Sequence, residues 1–129
     1  MPTSARKIPQ FGWAVVESGI PLSMFDRFNA RSRLTVEDLK DVVISVRALK
    51  RRRERQKTLT MNESDRMARV ARIYALAVQV LGTPRKARQW LRMPAIQWEG
   101  KAPLAMLRSE IGGRAVERAL CLIQVREPA

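Results

Sequence analysis

The stretch from Ser45 to Arg55, Ser-Val-Arg-Ala-Leu-Lys-Arg-Arg-Arg-Glu-Arg, holds the densest chemistry in the chain. Ser45 is a good helix N-cap, because its hydroxyl accepts from a backbone N–H that the helix leaves free. On the helix that follows, Val46 and Leu49 would anchor one side while Arg47, Lys50, Arg51, Arg53 and Arg55 face outward. Guanidinium groups offer forked donors that match guanine edges and phosphate oxygens. The chemistry of Ser45, Arg47, Lys50, Arg51, Arg53 and Arg55 is therefore that of a DNA contact set, with some of them serving bases and others phosphates.

No comparable set supports catalysis. The chain has no histidine, which removes the usual general base and metal ligand near neutral pH. Cys121 lies among Leu120, Leu122 and Ile123 and reads as a small core or near-core residue rather than a nucleophile. Glu63 and Asp65 look like paired carboxylates, but acids are favoured at a helix start by its dipole. The glycines are too scattered for a phosphate loop. This pattern describes a binding protein, not an enzyme, with no cofactor and no metal.

Charge points the same way. Across 129 residues, 25 Lys+Arg stand against 12 Asp+Glu, for a net charge of +13 and a pI near 11.5. A field of that size favours a polyanion or an acidic partner. Both halves share it: residues 1–58 carry thirteen basic and six acidic groups, and residues 59–129 carry twelve and six. Nucleic acid alone need not account for both. No apolar run approaches the roughly 18–20 residues that span a bilayer. The start lacks the apolar centre of a secretory signal, and a single cysteine excludes an internal disulfide, so a cytoplasmic setting with no membrane partner is expected.

The elements that must position the basic set are helical. Residues 1–19, with Pro2, Pro9, Gly12 and Gly19, read as a loose lead-in, with a short buried turn at Trp13–Val16. Residues 20–58 read as a helix-turn-helix unit. Leu22, Phe25 and Phe28 mark a first helix. Thr35 caps a second helix, with Asp38 at its N3 position and Val36, Leu39, Val42 and Val43 as its apolar side, and the basic helix is the third. Thr60 and Glu63 then form a capping box for a long central helix. Met67, Val70, Ala71, Tyr74, Ala77, Val78 and Leu81 share one face of it, and Arg66, Arg69 and Arg72 fall away. A second stripe of Ile73, Leu76 and Val80 makes its far half apolar nearly all round, so it is buried on more than one side. Gly82 stops the helix. Pro84–Leu91 forms a short helix with Ala87, Trp90 and Leu91 inward, and residues 95–102 form a loop. Pro103 opens another helix, anchored by Leu104 and Leu107. Ser109 caps a last helix whose inward face is Val116, Leu120 and Ile123. Residues 59–124 form this second, helical domain, and residues 125–129 are a polar tail. The fold class is all-α.

The run Leu59-Thr-Met-Asn-Glu63-Ser64-Asp65-Arg66 resembles the toxin-binding domain of Xre/MbcA/ParS-type antitoxins. Ala77, Gly82, Ala87, Trp90-Leu91, Pro94, Gly100, Pro103-Leu104, Leu107, Gly112 or Gly113, Val116 and Leu120 continue the likeness in order. Arg47-Ala-Leu-Lys-Arg-Arg is similar to the helix-turn-helix half of the Xre antitoxins, and together the match covers residues 20–123. The resemblance implies a type II antitoxin that silences a toxin and represses its own operon. The partner it implies is a RES-type toxin, an NAD-degrading enzyme, with a homodimer of this chain in a larger complex on operator DNA. Some relatives pair instead with toxins that ADP-ribosylate a protein.

Trp98, Glu99, Gly100, Lys101 and Arg126 are the expected toxin-binding set. Trp98 is either an aromatic anchor on an exposed loop or a core side chain closing that loop. An NAD site must hold a pyrophosphate, so a basic group such as Lys101 or Arg126 would mimic or block that part of the toxin's chemistry. Gln97-Trp98-Glu99-Gly100 departs from the Leu-Gly-Gly-like stretch usual in the family, and Gln124-Val125-Arg126 leads to the end where others carry a glycine-containing segment. A transcriptional regulator whose second domain only dimerises would suit the double-sided apolar helix equally.

Overall fold

The computed structural model describes residues 10–55 and 57–126. Expectations for residues 1–9, for Gln56 and for the last three residues lie outside that range. Every regular element among the described residues is helical: α1 (Trp13–Ser18), α2 (Leu22–Ser32), α3 (Val36–Leu39), α4 (Val46–Arg55), α5 (Met61–Leu81), α6 (Pro84–Arg92), α7 (Pro103–Met106) and α8 (Glu110–Arg126), with a 3-10 turn at Ile96–Trp98.

Helix α5 is the axis of the molecule. Its 21 residues span about 31 Å at 1.5 Å per residue. Both halves of the capping box form: the Glu63 N–H donates to Thr60 Oγ1 at 3.2 Å, and the Thr60 N–H donates to the Glu63 carboxylate at 2.8 Å. Gly82 ends the helix in the left-handed region, at φ +100°, with its N–H on the Val78 carbonyl. Met67, Val70, Ala71, Ile73, Tyr74, Ala77 and Val78 are buried, whereas Leu76 and Val80 of the second stripe are only half-buried. Helices α1, α6 and α8 pack against this axis, and α7 sits between α6 and α8.

The helix-turn-helix unit is clamped at its base. The Leu22 N–H donates to the Lys57 carbonyl and the Leu59 N–H to the Ile20 carbonyl, both at 2.9 Å, around an isolated bridge between Pro21 and Thr58. The chain enters and leaves the unit side by side and passes straight into the cap of α5. The Ile20 N–H reaches the buried Ser64 hydroxyl at 2.8 Å. Phe25, Phe28, Leu34, Leu39, Val42, Val43 and Leu49 form the core of the unit, continuous with the face of α5. Phe28 lies against Tyr74, with ring centroids 5.9 Å apart.

Several local expectations change. Trp13–Val16 is not a buried turn but part of a helix with no buried residue, and Trp13 is 80% exposed. Phe11, in the segment expected to be loose, stacks on Phe28 with centroids 6.3 Å apart. Arg69 does not face solvent: it is buried beneath α8 and donates to the Leu107 carbonyl at 2.9 Å, to Asp65 at 3.0 Å and to Glu110 at 3.4 Å. Gly113 permits this, since a Cβ there would lie 2.8 Å from Arg69 Cδ. Cys121 is exposed rather than in the core. Helix α8 runs through Arg126, so Val125 and Arg126 are helical rather than tail. Residues 95–102 are not wholly loop, because Ile96–Trp98 close a 3-10 turn.

Candidate DNA and toxin interfaces

Helix α4 owes its position to one apolar anchor and two ion pairs. Leu49 is buried, whereas Val46, expected to share the anchoring, is 53% exposed. Ser45 caps the helix by accepting from the Ala48 N–H at 3.1 Å. Arg52 donates through Nε and Nη2 to the two Glu63 oxygens at 3.1 and 2.9 Å, tying α4 to the capped start of α5. Burial alone would raise the Glu63 carboxyl, but the hydrogen bonds from Arg52 and the Thr60 backbone outweigh it and hold the group below its ordinary value of 4.5. Arg66 completes the fixture by donating to the Val43 carbonyl, in the turn before α4, at 3.0 and 3.2 Å.

At 100° per residue, Arg47 and Arg51 point almost directly away from Leu49, with Lys50 and Arg55 on the flanks; all four are exposed. Arg53 lies nearer the packed side and forms a two-pronged pair with Asp26 of α2, at 2.8 and 2.9 Å. The carboxylate's hydrogen bond raises the guanidinium's affinity for its proton. The sequence-predicted basic set is thus gathered on one helix, with Arg53 turned toward α2.

The unit is also stapled to the second half. Tyr74 and Arg88 both donate to the Ser32 carbonyl, at 3.4 and 3.2 Å. Arg92 donates to the Arg33 carbonyl at 3.1 Å and grips Asp38 at 2.7 and 3.2 Å. Asp38 meanwhile serves the Thr35 cap. Burial favours its neutral form, but the Arg92 and Thr35 hydrogen bonds prevail and its carboxyl sits below the ordinary 3.8.

In the second half, the segment after α6 closes on itself. The Gly100 N–H donates to the Ala95 carbonyl at 2.9 Å, and the Ala95 N–H to the Lys101 carbonyl at 3.1 Å. Glu99 and Gly100 complete the turn at φ +56° and +83°. Trp98 is half-buried and meets Trp90 edge to face, with centroids 6.5 Å apart. Glu99, Gly100 and Lys101 are exposed on the same loop. Arg126 lies in the last turn of α8, and no hydrogen bond or ion pair among the described residues joins it to that loop.

Two residues absent from the expected set dominate this surface. Ile96 is 96% exposed and Met93 63% exposed, and with Trp90, Trp98, Pro94 and Pro103 they line a shallow apolar hollow. The signal was an aliphatic residue in a proline-flanked loop, where burial has no periodic reason to occur. Helix α8 adds further exposed apolar side chains: Ile111, Leu122 and Val125 are exposed on the side opposite Val116 and Leu120, with Arg114 and Arg118 among them.

Fold and surfaces together define a helix-turn-helix protein whose second helical half shares the axial helix. Residues 14–72 match the antitoxin Xre-like helix-turn-helix domain, and residues 76–123 match the antitoxin Xre/MbcA/ParS C-terminal toxin-binding domain. An antitoxin Xre of Pseudomonas putida is 36% identical over 108 residues, which cover 84% of this chain and 67% of the relative. An antitoxin Xre of Photorhabdus laumondii is 30% identical over 101 residues, covering 77% and 68%. The chain belongs to the Xre/MbcA/ParS antitoxin family.

Proposed function

We propose that this chain is the antitoxin of a type II toxin–antitoxin pair, acting in the cytoplasm as a homodimer within a larger complex. It neutralises a RES-family, NAD-degrading toxin by covering the active site, and it represses its own operon through α4. The observation that carries this reading is the presence in one chain of a basic solvated face on α4 and of exposed apolar side chains, Met93, Ile96, Ile111, Leu122 and Val125, in the toxin-binding half. Residues 20–58 hold the DNA through Ser45, Arg47, Lys50, Arg51 and Arg55, while Arg53 braces the helix against α2. Residues 59–124 hold the toxin, with Met93, Ile96 and Trp98 as apolar anchors.

A site built for a pyrophosphate is cationic. The exposed loop carboxylate of Glu99 is therefore the group suited to stand in for the ligand, and Lys101 and Arg126 suit the rim. The test is co-expression with the neighbouring gene's product: rescue of growth and a stable complex are expected, and a shift of the operon's own promoter fragment by the purified protein. The exposed apolar side chains on α8 favour a second reading, a regulator that uses this half only to dimerise. In that case the chain would dimerise and bind the promoter, but neither rescue nor complex would be seen.

A further inference from the structure

A groove of about 450 Å3 opens beside the N-terminal end of α4, lined among others by Lys40, Ser45, Ala48, Arg66 and Arg108. Its charge is not balanced internally. The two acids at its wall are Asp41 and Glu63. Glu63 is spent on Arg52 and the Thr60 N–H. Asp41 lies in the field of Lys40, which also pairs with Glu37. Arg66 uses Nε and Nη2 on the Val43 carbonyl, and its other guanidinium nitrogen has no acceptor among the described residues. Arg108 is exposed, and no hydrogen bond or ion pair to it occurs among the described residues. The groove is also continuous with the basic face of α4. At 100° per residue Ala48, at its lip, falls on the same flank as Arg55, next to Arg51.

A polyanion lying along Arg47 and Arg51 would therefore pass over the groove. We propose that Arg108, with Arg66 beside it, contacts a backbone phosphate of the DNA next to the major groove entered by α4. Arg108 comes from the region matching the toxin-binding domain and the other lining residues from the region matching the helix-turn-helix, so the toxin-binding half supplies part of the DNA grip. This rests on the DNA-binding reading above. A phosphate contact adds affinity without sequence preference, and its loss lowers the salt slope by about one unit.

The test measures binding of the full-length protein to its promoter fragment and to an unrelated duplex across a KCl series. Arg108→Ala is compared with Lys86→Ala, which removes the same charge from the side of α6 opposite Arg88 and Arg92. Arg108→Ala is expected to weaken both duplexes about fivefold at 0.15 M salt and to flatten the slope by about 0.9, with Arg108→Lys restoring most of it. Equal behaviour of Arg108→Ala and Lys86→Ala, with the parent protein still binding, overturns the Arg108 assignment alone. Failure of the parent protein to bind either duplex with a salt slope overturns the DNA reading and this inference together. Saturable binding of inorganic phosphate that Arg108→Ala abolishes, with the DNA slope unchanged, would make this a free-anion site and also overturn the assignment. An unchanged melting temperature of Arg108→Ala confirms that a loss is not unfolding.

Discussion

Helices α4 and α8 each bury one face and turn the other to solvent, yet they fill the outer face with different materials. On α4 it holds Arg47 and Arg51, flanked by Lys50 and Arg55; on α8 it holds Ile111, Leu122 and Val125 with Arg114 and Arg118 between them. Charge kept in water costs the fold little and acts on a partner across the roughly 8–10 Å of a Debye length. Apolar surface left in water forgoes about 25 cal/mol per Å2 until something covers it, and apolar side chains gathered on an exposed face suit protein contacts. The first surface is suited to a polyanion whose contacts are electrostatic and salt-sensitive. The second, with Met93 and Ile96, is suited to a protein whose contacts are close-packed.

If the comparison holds, the two surfaces can be removed separately. Replacing Arg47, Lys50, Arg51 and Arg55 by alanine should lower promoter affinity about a thousandfold at 0.15 M salt, from the summed loss of four phosphate-type contacts. Capture of the toxin should be untouched; a gel-shift titration beside a pull-down reads both. In the reverse experiment, Met93→Asp with Ile96→Asp should weaken toxin binding about a hundredfold, on the scale of losing a hot-spot pair, and leave promoter binding unchanged. A variant of either kind that damaged both activities while keeping its melting temperature would break the separation.

The two halves meet where α4 is bound to α5, and a smaller effect is expected there. Glu63→Gln keeps the shape of the cap but removes the charge that Arg52 grips, at a cost of about 2 kcal/mol. Because the folded carboxyl sits below its ordinary 4.5, this stabilisation is complete above that pH and is lost as pH falls through the lower folded value. The parent protein should thus lose melting temperature below about pH 4.5, and its advantage over Glu63→Gln should shrink there. A constant difference from pH 7 to pH 3 would mean that the ion pair contributes nothing.

What could be read in the sequence was what is local. The caps at Thr35, Ser45, Thr60 and Ser109 depend on a donor three residues away, and all four form. The core faces of α2, α5 and α6 follow from spacing alone. What could not be read depends on distant partners. Arg69 falls outside the first apolar stripe of α5 but in line with Ile73, Leu76 and Val80, and only the arrival of Leu107 and Glu110, 38 and 41 residues on, makes burial of its charge tolerable. Cys121 and Leu122 sit in a run apolar on every side, where periodicity does not reveal which face the chain itself covers. The basic set was legible as a set, but the sharing of Arg52 and Arg53 with Glu63 and Asp26 was not, since both acids belong to other helices.

Arg53 provides the finest test of the contrast between bracing and gripping. It has the same side chain as Arg51 and stands two residues away. Two residues turn the helix by about 200°, which carries Arg53 from the outer face to the side of α2. There both prongs of its guanidinium are taken by Asp26, and about half of each side chain is still exposed, at 43% and 48%. An exposed pair of this kind is worth about 0–1 kcal/mol. Arg53→Ala should therefore lower the melting temperature by only a few degrees and change promoter affinity by less than about twofold at 0.15 M salt, against about fivefold for Arg51→Ala. Equal losses from the two variants would mean that DNA draws Arg53 away from Asp26, and the boundary between bracing and gripping residues on α4 would have to be redrawn.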